Sequence, residues 1–186
     1  MRDWVWDGGR PSVDFVNTLR DRALGGRETL HAPADLAEWF AAAGVTTGRL
    51  AVTEAELAIA LRLRAAIDEA AFALLADRPI PPEAIAAVND VAAAVSPAPL
   101  LAVDDQGRPY VRTDTSAGAA LARVAVDAIA LLIDGELARL RVCAASDCGI
   151  RFVDRSPARN RQWCSMRRCG NRTKARRHYA RRRDVQ

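Results

Sequence analysis

The chain has 186 residues, half of them hydrophobic but only 5% aromatic, a composition suited to one sizeable core of aliphatic side chains on helices with a small appendage. No run approaches eighteen uncharged apolar residues, and MRDWVWDGGR sets charges where a signal peptide needs its apolar segment; both argue against a membrane partner and for a cytoplasmic protein. The net charge of +4 is unevenly spread: residues 141–186 hold 14 Arg or Lys against 3 Asp, with no acidic residue between Arg155 and Arg183, which points to a polyanionic partner.

In chain order, PSVDFVNTLRDR sets Val13, Val16, Leu19 and Phe15 on one side of a short helix, with Ser12 as its cap. HAPADLAEWFAAAG predicts a second helix, opened by Pro33 with Asp35 in its first turn and stopped by Gly44. From Thr53 to Leu75 the residues Leu57, Leu61, Ile67, Ala71 and Leu74 recur at helical spacing, and Thr53 with Glu56 forms a capping-box pattern. Pro79, Pro81 and Pro82 interrupt the chain, after which Ile85, Val88 and Val91 mark a helix that ends before Pro97. LLAVDDQGRPYVR has apolar residues on both sides of Asp105, Gln106 and Gly107 and predicts a short β-hairpin. A last helix of this part runs from Thr115 or Ser116 to Gly135 and is apolar on nearly all faces, the mark of a central position. The fold class expected is mainly α: a helical domain over residues 1–138 with one hairpin, and a small separate module over 139–186.

That module contains all four cysteines, Cys143, Cys148, Cys164 and Cys169, as two pairs with four residues inside each and fifteen between them. Two close pairs across a loop can supply the four thiolates of a tetrahedral Zn2+ site. Disulfides compete with this reading, but an intracellular chain disfavours them; redox-active thiols are a further alternative. VCAASDCGIRFVD reads as a knuckle on a short hairpin, where Gly149 turns the chain after Cys148 and Phe152 covers the metal site. DRSPARNRQW is a loop, and a helix begins near Cys164. On it Arg168, Arg172 and Arg176 are spaced by four, with Arg167, Lys174, Arg177 and Arg181 widening the positive surface. Trp163, Met166 and Tyr179 are expected to pack rather than stack on bases. His178 is expected on the surface, His31 in ordering a loop, and Asn171 in bracing the module.

Cys169, Gly170, Asn171 and Arg172 spell CGNR, and the run from Cys143 to the terminal arginines resembles the CGNR zinc finger. The upstream chain, through GGRPSVDFVNTLRDR, is similar to the helical ABATE domain that accompanies this finger in a bacterial family of stress-induced transcription regulators. The resemblance implies a treble-clef-like finger with Cys143, Cys148, Cys164 and Cys169 on zinc and a DNA-binding role. Candidate phosphate contacts are Arg155, Arg159, Arg161, Arg167, Arg168, Arg172, Lys174, Arg176, Arg177 and Arg181. The helical part would sense a small-molecule effector or form a homodimer, with Asp14, Asn17, Arg20 and Arg112 as candidate pocket residues. Four cysteine ligands leave no open metal position, and no acid and base array accompanies them, so an enzyme is not expected. The alternative function is a zinc-stabilised protein-interaction module without nucleic-acid binding.

Overall fold

The structure, a computed structural model, describes residues 4–46, 50–93, 100–112 and 116–183; the side chains of Arg112, Arg177 to Tyr179 and Arg181 to Arg183 lie outside that description. Among the described residues there are six α-helices and two antiparallel two-stranded sheets. The chain divides into two compact units, Leu30–Ala130 and a second in which Met1–Thr29 packs with Leu131–Gln186. The expected boundary after residue 138 separates two stretches of sequence; packing joins the first 29 residues to the last 56.

The helical unit contains α2 (Pro33–Ala42), α3 (Glu54–Leu75), α4 (Pro82–Ala92), the hairpin β1 (Leu100–Val103) and β2 (Pro109–Arg112), and most of α5 (Ala117–Ile133). Proline opens α2, and the Asp35 carboxylate accepts the N–H groups of His31 at 2.8 Å and Ala32 at 3.0 Å, so Asp35, acting on the main chain of His31, orders the entry. The capping box of α3 is present: the Glu56 N–H donates to Thr53 Oγ1 at 3.2 Å, and the Thr53 N–H to Glu56 Oε2 at 2.8 Å. The buried stripe of α3 runs through Leu57, Ala60, Leu63, Ile67 and Ala70. Leu61 is only half-buried and Leu74 is exposed, because the core lies about one position around the helix from the stripe read off the largest side chains. Burial of Ala119, Ala120, Leu121, Ala122, Val124, Ala125 and Ala128 gives α5 the central place its composition predicts. The hairpin pairs Leu100 with Arg112 and Val103 with Pro109. Its turn is held by the Asp104 carboxylate, which accepts from the N–H groups of Gln106 and Arg108.

In the second unit, α1 (Pro11–Val16) precedes a strand pair, β3 (Leu140–Val142) and β4 (Arg151–Val153), and the basic helix α6 (Asn171–Arg183). Pro11 starts α1, and Ser12 lies buried inside its first turn instead of capping it. The helix ends after six residues at Asn17. The Asn17 amide donates to the Arg151 carbonyl at 2.8 Å and accepts the Arg151 N–H at 2.9 Å, so one side chain stands in for a neighbouring strand along β4. One residue on from β4's centre, the Val153 N–H donates to the Gly8 carbonyl at 2.9 Å. Gly8 is itself obligatory, since a Cβ there would lie 2.6 Å from Asp14 Oδ1 and 2.9 Å from the Asp14 nitrogen.

Asn17 is 2% exposed, so truncating it leaves two buried backbone groups of Arg151 without partners. Asn17→Ala is expected to destabilise by about 2–3 kcal/mol. The exposed cap mutant Thr53→Ala should cost only about 1 kcal/mol. Denaturant unfolding of both variants checks the order; equal costs would contradict a clamping role for Asn17.

Candidate metal centre and nucleic-acid interface

β3 delivers the chain to Cys143, whose N–H donates to the Ile150 carbonyl at 2.8 Å and so continues the strand pair into the knuckle. Gly149, at φ +74°, makes the turn after Cys148; a Cβ there would also sit 3.0 Å from Arg22 Cβ and 3.2 Å from the Ala23 nitrogen. Only glycine meets both demands. The loop returns to Cys164, the Ser165 hydroxyl accepts the Arg168 N–H at 3.4 Å, and a π-helical turn over Met166–Gly170 carries Cys169 inward before α6 begins. Asn171 is the first residue of α6 and is exposed.

These elements bring the four sulfur atoms within 4.8 Å of one another, all buried. Cys148 Sγ and Cys164 Sγ are 3.8 Å apart, as are Cys164 Sγ and Cys169 Sγ. A zinc–sulfur tetrahedron with bonds of about 2.3 Å has edges of about 3.8 Å, whereas a disulfide needs about 2.0 Å. The donor set and its spacing therefore fit Zn2+. Phe152 lies in the same cluster, fully buried, with Ile150, Ala145 and Val5.

Electrostatics reinforce the fit. Hydrogen bonds from the Cys148 and Cys164 thiols hold the Cys143 pKa far below the usual thiol range. The same contact with Cys143, together with burial, pushes Cys148 up to about 12, and contacts with Cys143 and Cys148 raise Cys164 further. One thiolate is thus stabilised by its neighbours, and each further one is opposed by charge already present. A divalent cation at the centre reverses that opposition.

The basic residues fall into two groups. Arg155 makes a bidentate pair with Glu136 at 2.7 and 2.8 Å and donates to the Gly9 carbonyl at 2.9 Å. Arg161 donates to the carbonyls of Trp163 and Cys164, and its guanidinium lies 4.5 Å from the centre of the Phe152 ring. Arg168 faces Asp7 at 3.5 Å. Arg172 reaches Asp147 at 2.8 Å and Cys169 Sγ at 3.7 Å, and Arg176 reaches the other Asp147 oxygen at 3.0 Å. The expected stripe of Arg168, Arg172 and Arg176 is therefore tied to protein carboxylates. Arg159 and Arg167 are exposed and make no ion pair among the described residues, and Lys174 is exposed with Nζ 5.8 Å from the Trp163 ring centre. Arg177, His178, Tyr179 and Arg181 lie on α6 with side chains outside the description.

Of the candidate pocket residues, Asp14 accepts the Gly8 N–H at 2.8 Å and Asn17 holds Arg151. Arg20 bridges Arg27 through its main chain, and Arg112 ends β2 in the other compact unit. None of the four lines the groove of about 430 Å³ in the helical unit, whose walls include Glu56, Arg62, Leu63, Glu83, Asp90 and Leu121. Sequence reasoning missed Asp147, Glu136 and Asp154. Asp154 is buried and accepts the N–H groups of Ser156 at 2.9 Å and Arg161 at 2.8 Å, which shapes the loop before Cys164. Its signal, an Asp two residues before Ser-Pro, is an Asx-turn pattern; Glu136 and Asp147 carry no local signal.

Glu136 titrates at about 2, lowered first by its hydrogen bond to Arg155, with burial opposing and the charges of Arg155 and Arg10 assisting. A depressed carboxylate contributes stability above its unfolded pKa, near 4.5, that is lost as pH falls toward 2. The difference in unfolding free energy between wild type and Glu136→Gln is expected to be largest at neutral pH and to shrink through that window. Denaturant titrations at several pH values measure it, and a pH-independent difference would refute the pairing.

No curated protein matches the chain. The family model for ABATE, described as "Putative stress-induced transcription regulator", matches residues 9–135, and the model for the CGNR zinc finger matches residues 139–182. Neither is an enzyme family, and no helix among the described residues is long and apolar enough to cross a membrane. With most of its length matched by the first model and the four-cysteine cluster inside the second, the chain belongs to the ABATE family and carries a C-terminal CGNR zinc finger.

Proposed function

We propose that this protein is a zinc-dependent, DNA-binding transcription regulator in which Cys143, Cys148, Cys164 and Cys169 hold Zn2+ and the basic C-terminal module engages phosphates. The observation that carries the reading is the juxtaposition of a buried four-sulfur cluster with a helix and loop that hold no acidic residue between Arg155 and Arg183. Zn2+ supplies the divalent charge that lets four thiolates share one site. The chain does the rest: Arg172 donates to Cys169 Sγ, Arg161 fixes the carbonyls of Trp163 and Cys164, and Asp147 holds Arg172 and Arg176 beside the cluster. Exposed Arg159, Arg167 and Lys174 make the first phosphate contacts in this reading. Positions 177 and 181 follow Lys174 by three and seven residues and share its face of α6.

The homodimer in this reading doubles a weak contact through high effective concentration. Its support is the hairpin, where Leu101, Val103, Tyr110 and Val111 are all exposed. Sedimentation equilibrium should give a dimer for wild type and a monomer for Leu101→Asp; a monomeric wild type at tens of micromolar would remove this part.

A second reading, a zinc-stabilised protein-interaction module, is favoured by the pairing of Arg172 and Arg176 with Asp147, which shows these cations bound to a protein carboxylate. Binding across a salt series separates the two. For the regulator, duplex affinity of the zinc-loaded protein should fall with log[salt] at a slope of about −0.9 per phosphate contacted. Joint replacement of Arg159, Arg167 and Lys174 by Ser should flatten that slope by about three contacts' worth. Metal analysis under reducing conditions should find one zinc per chain, lost in Cys164→Ser. Absence of salt-dependent binding would leave the interaction module.

A further inference from the structure

Beside the metal centre lies an open groove of about 610 Å³ between the loop that precedes Cys164 and the start of α6. One wall is apolar. Trp163 packs against the cysteine cluster, and Met166, 46% exposed, lays its thioether over Gly170, where a Cβ would approach the sulfur to 2.5 Å. The glycine of CGNR thus makes room for Met166, and the wall is mounted directly on the metal centre.

The rest of the lining is polar. Asn160 and Gln162 are exposed amides, each with both donor and acceptor groups. Their backbone is fixed: Asp154 accepts the Arg161 N–H, and the Ala144 N–H donates to the Gln162 carbonyl at 2.8 Å. Arg161, Ser165 and Lys174 complete the lining, and among the described residues no carboxylate is part of it. Lys174 sits over the Trp163 ring on a flexible stem, within reach of a phosphate at the rim.

We infer that this groove takes an unpaired nucleobase of the bound nucleic acid, stacked on Trp163 and Met166 and read at its edge by Asn160 and Gln162, with Lys174 on the adjoining phosphate. The inference rests on the nucleic-acid reading above and names what that reading leaves open. A partner offering phosphates alone would use the arginines and leave the exposed Met166 thioether and the two amides of this groove without a role. Aromatic platforms next to cations are the chemistry that binds bases out of their helical stack. A fully paired duplex keeps its bases from such a wall; a bulge, an opened step or a single strand does not.

The test is fluorescence anisotropy with the zinc-loaded full-length protein and three oligonucleotides: a paired duplex, the same duplex with one bulged thymidine, and a single strand. Wild type is expected to bind the bulged form at least about five-fold tighter than the paired one. Trp163→Leu keeps an apolar side chain on the cluster and should bring that ratio to near one, in protein whose zinc content is checked by metal analysis to show that the cluster has formed. The Asn160→Ala, Gln162→Ala double variant alters exposed side chains only and should reduce the ratio as well. Equal binding of paired and bulged duplexes by wild type overturns the groove assignment while leaving phosphate binding intact. A ratio that survives in both variants overturns it too. If none of the three binds with salt dependence, or poly-glutamate alone binds, the nucleic-acid reading falls and the groove assignment with it.

Discussion

Four sulfur atoms held within 4.8 Å of one another at a buried point are the constraint on which the C-terminal module of this molecule turns. So few residues cannot bury enough apolar surface to order themselves, and the side chains around the cluster confirm how small that interior is: Val5, Ala145, Ile150 and Phe152, with Trp163 at its edge. A cation shared by the four sulfurs would replace the missing core. The knuckle, the loop pinned by Asp154 and the π-helical turn are three local solutions to one requirement, that each backbone segment present its cysteine to the same point.

That requirement also explains how the arginines are used. A cluster of thiolates needs positive charge and hydrogen-bond donors close by, and the second cysteine pair is flanked by two: Arg161 on the carbonyls of Trp163 and Cys164, and Arg172 on Cys169 Sγ. Carboxylates at Asp7, Glu136 and Asp147 then hold Arg168, Arg155, Arg172 and Arg176 in place. Exposed pairs of this kind add little stability each. Their effect is to fix direction, so that among the described residues the cations of this stretch without an ion pair are Arg159, Arg167 and Lys174, the last lying over the Trp163 ring.

Much of this was legible in the sequence where the signal is local. The spacing of the cysteines, the Thr53 and Glu56 box, the prolines that open α2 and α4 and the turn at Asp104 to Arg108 each follow from residues a few positions apart. What could not be read depends on distant closures. Asn17 and Arg151 are 134 positions apart, and nothing in PSVDFVNTL distinguishes a clamping amide from a pocket residue or a helix cap. On α3 the expected Leu57, Ile67 and Ala71 are buried while Leu61 and Leu74 are not, for a related reason: in an alanine-rich helix, Ala60 and Ala70 mark the core face as surely as leucines do, but they add little to a pattern drawn from large side chains. The partners of the arginines were invisible because an ion pair leaves no periodic trace.

The clamp formed by Gly8, Asn17 and the main chain of Arg22 and Ala23 against the knuckle and β4 has a bearing on how such a chain can be rearranged. A segment cut at the edge of the finger's family match would lose an edge strand's substitute, one wall of the sulfur cluster and the backbone that Gly149 turns against. Recombination that transplants the CGNR finger without the opening residues would move the ligands and leave behind part of their enclosure. Grafts onto a foreign body should carry the stretch from Gly8 through Asn17 to Ala23 as well as the cysteines, two pieces of one object separated in sequence by Leu30–Ala130.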